Sequence, residues 1–168
     1  HLLGTLLITN TVNAYVTTGA NVSAGSPYGV AFGNTVLGTT PTLTVAASGT
    51  LTLGATSGNY GLTKDGAGDL VLASANAYTG TTTIVRGKVI VTGASGCISN
   101  VSAITLSGNS VLELRNSTAS NLTDRVCNGI PVTLAGGTIS FSHTGGAVGY
   151  GETFGPLTIT ASTNLFLT

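Results

Sequence analysis

Carboxylates, thiols, imidazoles and amines are the groups with which a protein does chemistry. This chain of 168 residues is short of all of them: five Asp+Glu, five Lys+Arg, two His and two Cys. The acids are Asp65, Asp69, Glu113, Asp124 and Glu152. Only Asp65 and Asp69 are close in sequence, and they flank Gly66-Ala67-Gly68, which is turn chemistry. A glycosidase pair needs two carboxyls about 5–9.5 Å apart in one cleft, and nothing in the spacing of these five demands such a pair. Calcium takes about six to eight oxygens, for which one Gly-rich loop with two Asp is poor provision. His143 and Glu152 frame Thr144-Gly145-Gly146-Ala147-Val148-Gly149-Tyr150-Gly151. A phosphate cradle is followed by a helix, whereas the strand-like Leu157-Thr158-Ile159 follows here, so this stretch reads as a lateral loop.

Cys97 and Cys127 have no His near them in sequence, so zinc-type spacing is absent. In an oxidising compartment these two would most simply pair as a disulfide. Four Asn-x-Ser/Thr sequons, at Asn21, Asn100, Asn116 and Asn121, are glycosylation candidates, although four is close to what chance gives with 12 Asn in a Ser/Thr-rich chain. Tyr15, Tyr28, Tyr60 and Tyr150 read as exposed rings able to stack on sugars. No catalytic, cofactor or metal site emerges, and the expectation is a protein that is not an enzyme. The alternative class is a carbohydrate-binding or carbohydrate-processing protein, with surface glycans as ligands.

The elements that carry these residues follow from composition. Charged residues make up 6% of the chain, against about 25% in ordinary soluble domains. Five cations against five acids cannot form the basic stripe that nucleic acid requires. A mean hydropathy of +0.45 argues against disorder. Instead there are 30 Thr, 15 Ser and 25 Gly, with no Met, Trp or Gln; Thr favours strands, and the long helix formers are scarce. The chain opens on His1 and shows no signal-segment layout, so it reads as a processed product or an excised piece. Its apolar runs are too short for a transmembrane helix.

One phrase recurs: apolar-Thr-apolar, a short turn, then apolar-x-apolar. It appears as Leu43-Thr44-Val45 with Leu51-Thr52-Leu53, and as Ile104-Thr105-Leu106 with Val111-Leu112-Glu113-Leu114. It returns as Val132-Thr133-Leu134 with Ile139-Ser140-Phe141, and as Leu157-Thr158-Ile159 with Leu165-Phe166-Leu167. Looser copies start at Leu62 and near Thr83. Starts recur at a spacing of about 19 to 28 residues, inside the range of solenoids. Each half-phrase alternates with period two, so it is a short strand with one apolar face. Strands this short are buried best by coiling into a parallel β-helix, all-β, in which each phrase stacks on its equivalent. About seven irregular coils, each rising about 4.8 Å, make a rod about 35 Å long and a single domain over residues 1–168. Stacked like charges repel, whereas rows of Thr, Ser and Asn can hydrogen-bond along the stack. An antiparallel β-sandwich is the alternative.

Residues 61–91 are more specific. They contain Leu62-Thr63-Lys64, Gly66-Ala67-Gly68, Leu70-Val71-Leu72, then Asn76-Ala77-Tyr78-Thr79-Gly80-Thr81-Thr82 and Gly87-Lys88-Val89. This segment closely resembles the autotransporter-associated β-strand repeat of bacterial secreted surface proteins. The resemblance implies a right-handed parallel β-helix, exported and located outside the cell or on the bacterial cell surface, as part of a longer passenger. Read from the residues, Gly66 and Gly68 suit a tight corner, Asn76 and Gly80 suit turn positions with positive φ, and Tyr78 suits a coil corner. The expected role is a structural or adhesive extracellular element. Leu2, Leu3, Leu6, Leu7 and Ile8 at one end and Leu165, Phe166 and Leu167 at the other are uncharged and strand-like. Such ends would stack on neighbouring copies to make a filament, or on adjoining coils of a longer passenger.

Overall fold

Short strands of alternating Leu/Ile/Val and Thr bury their apolar face only if several coils share one interior. The computed structural model shows that arrangement, a parallel β-solenoid without a helix among the described residues, which are 2–10, 12–17, 26–145, 151–161 and, as backbone, 164–167. Strands are numbered in chain order. One face is an eight-stranded sheet of β1 (Leu2–Leu3), β4 (Tyr28–Phe32), β7 (Gly49–Leu53), β10 (Asp69–Leu72), β13 (Lys88–Val91), β16 (Val111–Ser117), β18 (Thr138–Thr144) and β20 (Asn164–Leu167). A second is a seven-stranded sheet of β3 (Asn13–Val16), β6 (Thr42–Val45), β9 (Leu62–Asp65), β12 (Thr82–Ile84), β15 (Ile104–Ser107), β17 (Val132–Ala135) and β19 (Leu157–Ile159).

The third face is short and broken. It holds β2 (Leu6–Ile8), β5 (Thr35–Leu37) and β8 (Thr56–Gly58), then β11 (Ala75–Asn76) with β14 (Cys97–Ile98). Backbone bonds from Ala77 N to Thr56 O at 2.8 Å and from Thr79 N to Gly58 O at 3.1 Å bridge the break. Every strand pairing is parallel, from β1 on β4 to β18 on β20, which rules out the antiparallel sandwich. The eight and seven stacked rungs agree with the expected coil number.

Each repeated phrase in the sequence is one corner of this solenoid, running from the seven-stranded to the eight-stranded sheet. Parallel register places equivalent residues above one another. Leu51, Leu70, Val89, Leu112 and Ile139 form one interior column, and Leu53, Leu72, Val91 and Leu114 its neighbour. All are at most 3% exposed, which makes the columns the core. Facing them, Leu43, Lys64, Ile84, Leu106, Leu134 and Ile159 stack in the seven-stranded sheet. The copies do not all share one register: Leu62 stands in line with Ile104, Val132 and Leu157, while the copy at Leu43 is two residues out of step, because the residue over Leu43 is Lys64.

The expected polar rows exist on the outside, but they do not bond along themselves as anticipated. Thr42, Thr63, Thr83, Thr105, Thr133 and Thr158 are in register, one per rung, with no Thr-to-Thr hydrogen bond. Bonding along the stack occurs off this row, where Thr81 Oγ1 and Ser102 Oγ of neighbouring coils meet at 3.1 Å.

Leu106 is fully buried in the middle of its column, while Thr105 beside it faces out. Leu106→Ala is expected to lower unfolding free energy by about 2–5 kcal/mol in urea titrations followed by circular dichroism. Leu106→Asp is expected to prevent folding, whereas Thr105→Ala stays within about 0.5 kcal/mol of the parent.

Candidate functional site

The segment with the densest polar chemistry is residues 62–91, and its side chains point into the rod. Lys64 occupies an interior Leu position and is fully buried. Its Nζ donates to the carbonyl oxygens of Asp65 and Gly66, each at 2.7 Å, and of Arg86 at 3.2 Å. Three carbonyls converge because the chain turns the corner at Gly66, with φ 78°, and again one coil on at Gly87, with φ 71°. Burial pushes the ammonium down to about 8, partly offset by Asp65 and Asp69. On the outside of the same corner, Arg86 clamps Asp65 through Nε at 2.7 Å and Nη2 at 3.0 Å. Those hydrogen bonds, with one from the Gly66 backbone, hold the Asp65 carboxyl down to about 2.

The other motif residues are also internal. Asn76 is fully buried in β11, where its Nδ2 donates to Ser74 O and to Cys97 O of the next coil. Tyr78 is fully buried, with its hydroxyl 2.6 Å from Thr82 Oγ1, and burial raises its pKa. Neither Asn76 nor Gly80 has the positive φ expected of it. Gly80 is required by contact instead, since a Cβ there would lie 2.1 Å from the backbone nitrogen of Gly61. Polar side chains thus tie coil to coil from within.

Of the remaining acids, Glu113 and Glu152 are committed to partners. Glu113, on the outer side of β16, is buried, which opposes its ionisation. Hydrogen bonds from Arg115 at 2.6 Å, Lys88 at 2.8 Å and Ser142 at 2.8 Å overcome this and bring it to about 2. Glu152 accepts the backbone N–H of Arg125 at 2.9 Å and of Val126 at 2.7 Å, and burial pushes its carboxyl up. Asp124 lies near enough to push it up further, a proximity of two carboxylates that their separation in sequence conceals. Asp69 sits in register between Thr50 and Lys88. Asp65 and Asp69 end up on different sheets, at the end of β9 and the start of β10.

Arg125 is a buried cation that the sequence did not single out. It is 1% exposed and donates to Asn116 Oδ1 at 2.6 Å, Gly96 O at 2.7 Å, Ser120 O at 2.9 Å and Gly93 O at 3.1 Å. It fastens the excursion after β16. Asn116 is consumed by this network and is 1% exposed, which takes this sequon out of reach of modification. Asn100 and Asn121 are exposed, and Asn21 lies outside the described residues.

Cys97 and Cys127 are separate free thiols rather than a disulfide in this structure. Ile98 is bridged to Val126, so the two cysteines lie on opposite sides of that bridge with a stagger of two residues. Such a diagonal spans on the order of 8 Å between Cα atoms, beyond the reach of an unstrained bond. Burial and nearby Asp124 raise the Cys127 pKa further. Tyr15 and Tyr60 are exposed as expected, but Tyr28 is half-buried with its hydroxyl 3.5 Å from Val16 O, and Tyr150 lies outside the described residues. Residues 146–150 of the lateral loop are outside them too.

At the rod's start the interior is open. A cavity of about 560 Å³ is lined by Leu6, Ile8, Val16, Val30, Phe32 and Leu51 among others. Leu2, Leu3 and Leu7 are exposed, Leu6 is half-buried and Ile8 is buried. At the other end Leu157 and Ile159 are exposed on β19, and among the described residues β20 pairs with β18 alone. The side chains of Leu165, Phe166 and Leu167 lie outside the described residues.

The model of the passenger-associated-transport-repeat family matches residues 62–91, the segment whose buried Lys64, Asn76 and Tyr78 fasten successive coils. No curated protein and no solved structure matches the chain.

The lowered pKa of Lys64 has a sign that can be tested. Between about pH 8 and its ordinary 10.5, the folded chain holds fewer protons than the unfolded chain, so stability rises with pH. Between about pH 8 and about pH 9.5, below the tyrosine range, unfolding free energy of the parent is expected to climb relative to that of Lys64→Met, a difference in which the opposing contribution of the raised Cys127 thiol, common to both, cancels. Urea titrations of both chains at stepped pH check this.

Proposed function

We propose that this chain is a non-enzymatic structural stretch of an exported, surface-located bacterial passenger protein, and that its ends are joints at which the solenoid continues, either into adjoining coils of a longer passenger or into a further copy. The family match supports the passenger part of this reading. Within the matched segment the motif residues are spent on internal fastening, so the repeat serves to build a rod. Where the passenger repeat occurs, a secreted or cell-surface place goes with it.

The observation that carries the joint is the identity of the two ends. Among the described residues the first rung leaves one edge of β1 and one of β3 unpaired, and the last leaves one edge of β20 and one of β19. These are the edges of the same two sheets with the same strand polarity. Both ends also expose apolar residues, Leu2 and Leu7 at one and Leu157 and Ile159 at the other. Unpaired strand edges beside exposed core side chains are the usual template for addition of further strands. A head-to-tail contact of this kind does not close on itself and generates a filament. Adhesion along the flanks of such a rod is the finer function proposed.

Electron microscopy and light scattering of the purified chain test the joint. Fibres with an axial repeat of about 35 Å are expected, growing with concentration, and Leu2→Asp with Leu7→Asp is expected to leave monomers with unchanged strand content. Monomers of the parent chain at every concentration overturn the self-stacking.

A further inference from the structure

We propose that the outer face of the seven-stranded sheet binds ice, taking as its ligand the ordered water lattice of a crystal surface. The core of this site is the threonine row. Thr42, Thr63, Thr83, Thr105, Thr133 and Thr158 are paired residue for residue through successive parallel rungs. Each points away from the interior, being flanked along its strand by inward residues such as Leu62 and Lys64, Ile104 and Leu106, or Val132 and Leu134. None of the six hydroxyls has a hydrogen-bond partner in the protein. Where an outward pair on this side does meet, as Thr81 and Ser102 at 3.1 Å, it lies off the row.

The chemistry of the row follows from its spacing. The hydroxyls of the row make no bond to one another, so each keeps a donor and two acceptor lone pairs for water. The methyl group beside each hydroxyl restricts the first-shell water around it. Waters held at both groups therefore repeat with the rungs, and the rung spacing is close to the oxygen repeat along the a axis of hexagonal ice. A row of six such positions is a one-dimensional template for that lattice.

The surroundings of the row fit a neutral lattice and not a charged or sugar ligand. On one side lie Thr81, Ala103, Pro131 and Pro156, and on the other Val85, Ser107, Ala135 and Thr160. Among the described residues the charges at this face are one ion pair at its corner, Asp65 closed by two bonds from the exposed Arg86 guanidinium. Lys88, Glu113 and Arg115 are on the eight-stranded sheet, so their tightly held hydration does not intrude on this face. Flat recognition of polysaccharide uses aromatic faces, and among the described residues of this sheet the aromatic is Tyr15, on the first rung alone.

The site runs along the rod and uses neither end, so it stands or falls independently of end-to-end stacking. Purified chain, as parent and as the monomeric Leu2→Asp/Leu7→Asp variant, is placed on a single ice crystal in an osmometer. Faceted crystals and a freezing-point hysteresis that rises with protein concentration are expected from both. Thr105→Lys with Thr133→Lys is expected to lose the hysteresis, while Thr52→Lys, outward on the eight-stranded sheet, keeps it. Thr105→Val with Thr133→Val, which retains the methyl spacing and the fold, is expected to lose part of it. Round crystals without hysteresis from the parent overturn the proposal. So does equal loss in Thr52→Lys and the row variants, or retention on crystalline chitin or cellulose without any effect on ice.

Discussion

Parallel stacking in register is the constraint on which everything else in this molecule depends. Each residue lies one rung above its equivalent, so whatever a position holds is confronted at about 4.8 Å by what the next coil holds there. Interior positions are then held to apolar residues: the column through Leu70 is apolar throughout, and the column through Leu106 is apolar except at Lys64. Exterior positions must avoid repeated charge, and Thr, with a β-branched body and a hydroxyl, satisfies strand preference and water at once. The scarcity of Lys and Glu is the compositional trace of this geometry.

The charges that remain are where the repeat is interrupted. Lys64 replaces a Leu in an interior column and is tolerated because the corner supplies three carbonyl oxygens. Arg125 stands where one coil bulges out, and carbonyls of Gly93, Gly96 and Ser120 gather round it. Glu113 is enclosed by two cations and a hydroxyl. In each case a buried ion is fully hydrogen-bonded, the condition under which burial of charge is sustained. These groups hold irregular coils in place, which is a different task from acting on a ligand, and it makes the free surfaces of the rod the place to look for function.

Those surfaces differ. The ends expose apolar side chains and unpaired strand edges, which suit contact with more of the same fold. Among the described residues the flank of the seven-stranded sheet is uncharged apart from the Asp65–Arg86 pair at its corner and carries unpartnered hydroxyls at a fixed interval. The eight-stranded sheet carries the ion pairs. A solenoid separates such roles naturally, because the period-two alternation of a strand decouples the outward residue from the inward one beside it.

The sequence by itself determined the coil. Alternation at Leu43 to Val45 or Val132 to Leu134, recurring at solenoid spacing, needs no tertiary information to be read as short stacked strands, and the motif at residues 62–91 identifies the repeat. The third face escaped because β11 and β14 are two residues long and show no alternation. Register was decided only by the tertiary structure: a shift of two residues leaves the period-two pattern unchanged, so Lys64 over Leu43 is invisible in sequence. The same holds for the stagger of Cys97 and Cys127, the burial of Asn116 and the enclosure of Arg125. Each depends on which residues of neighbouring coils meet, and that is set by the lengths of the turns between them rather than by any local preference.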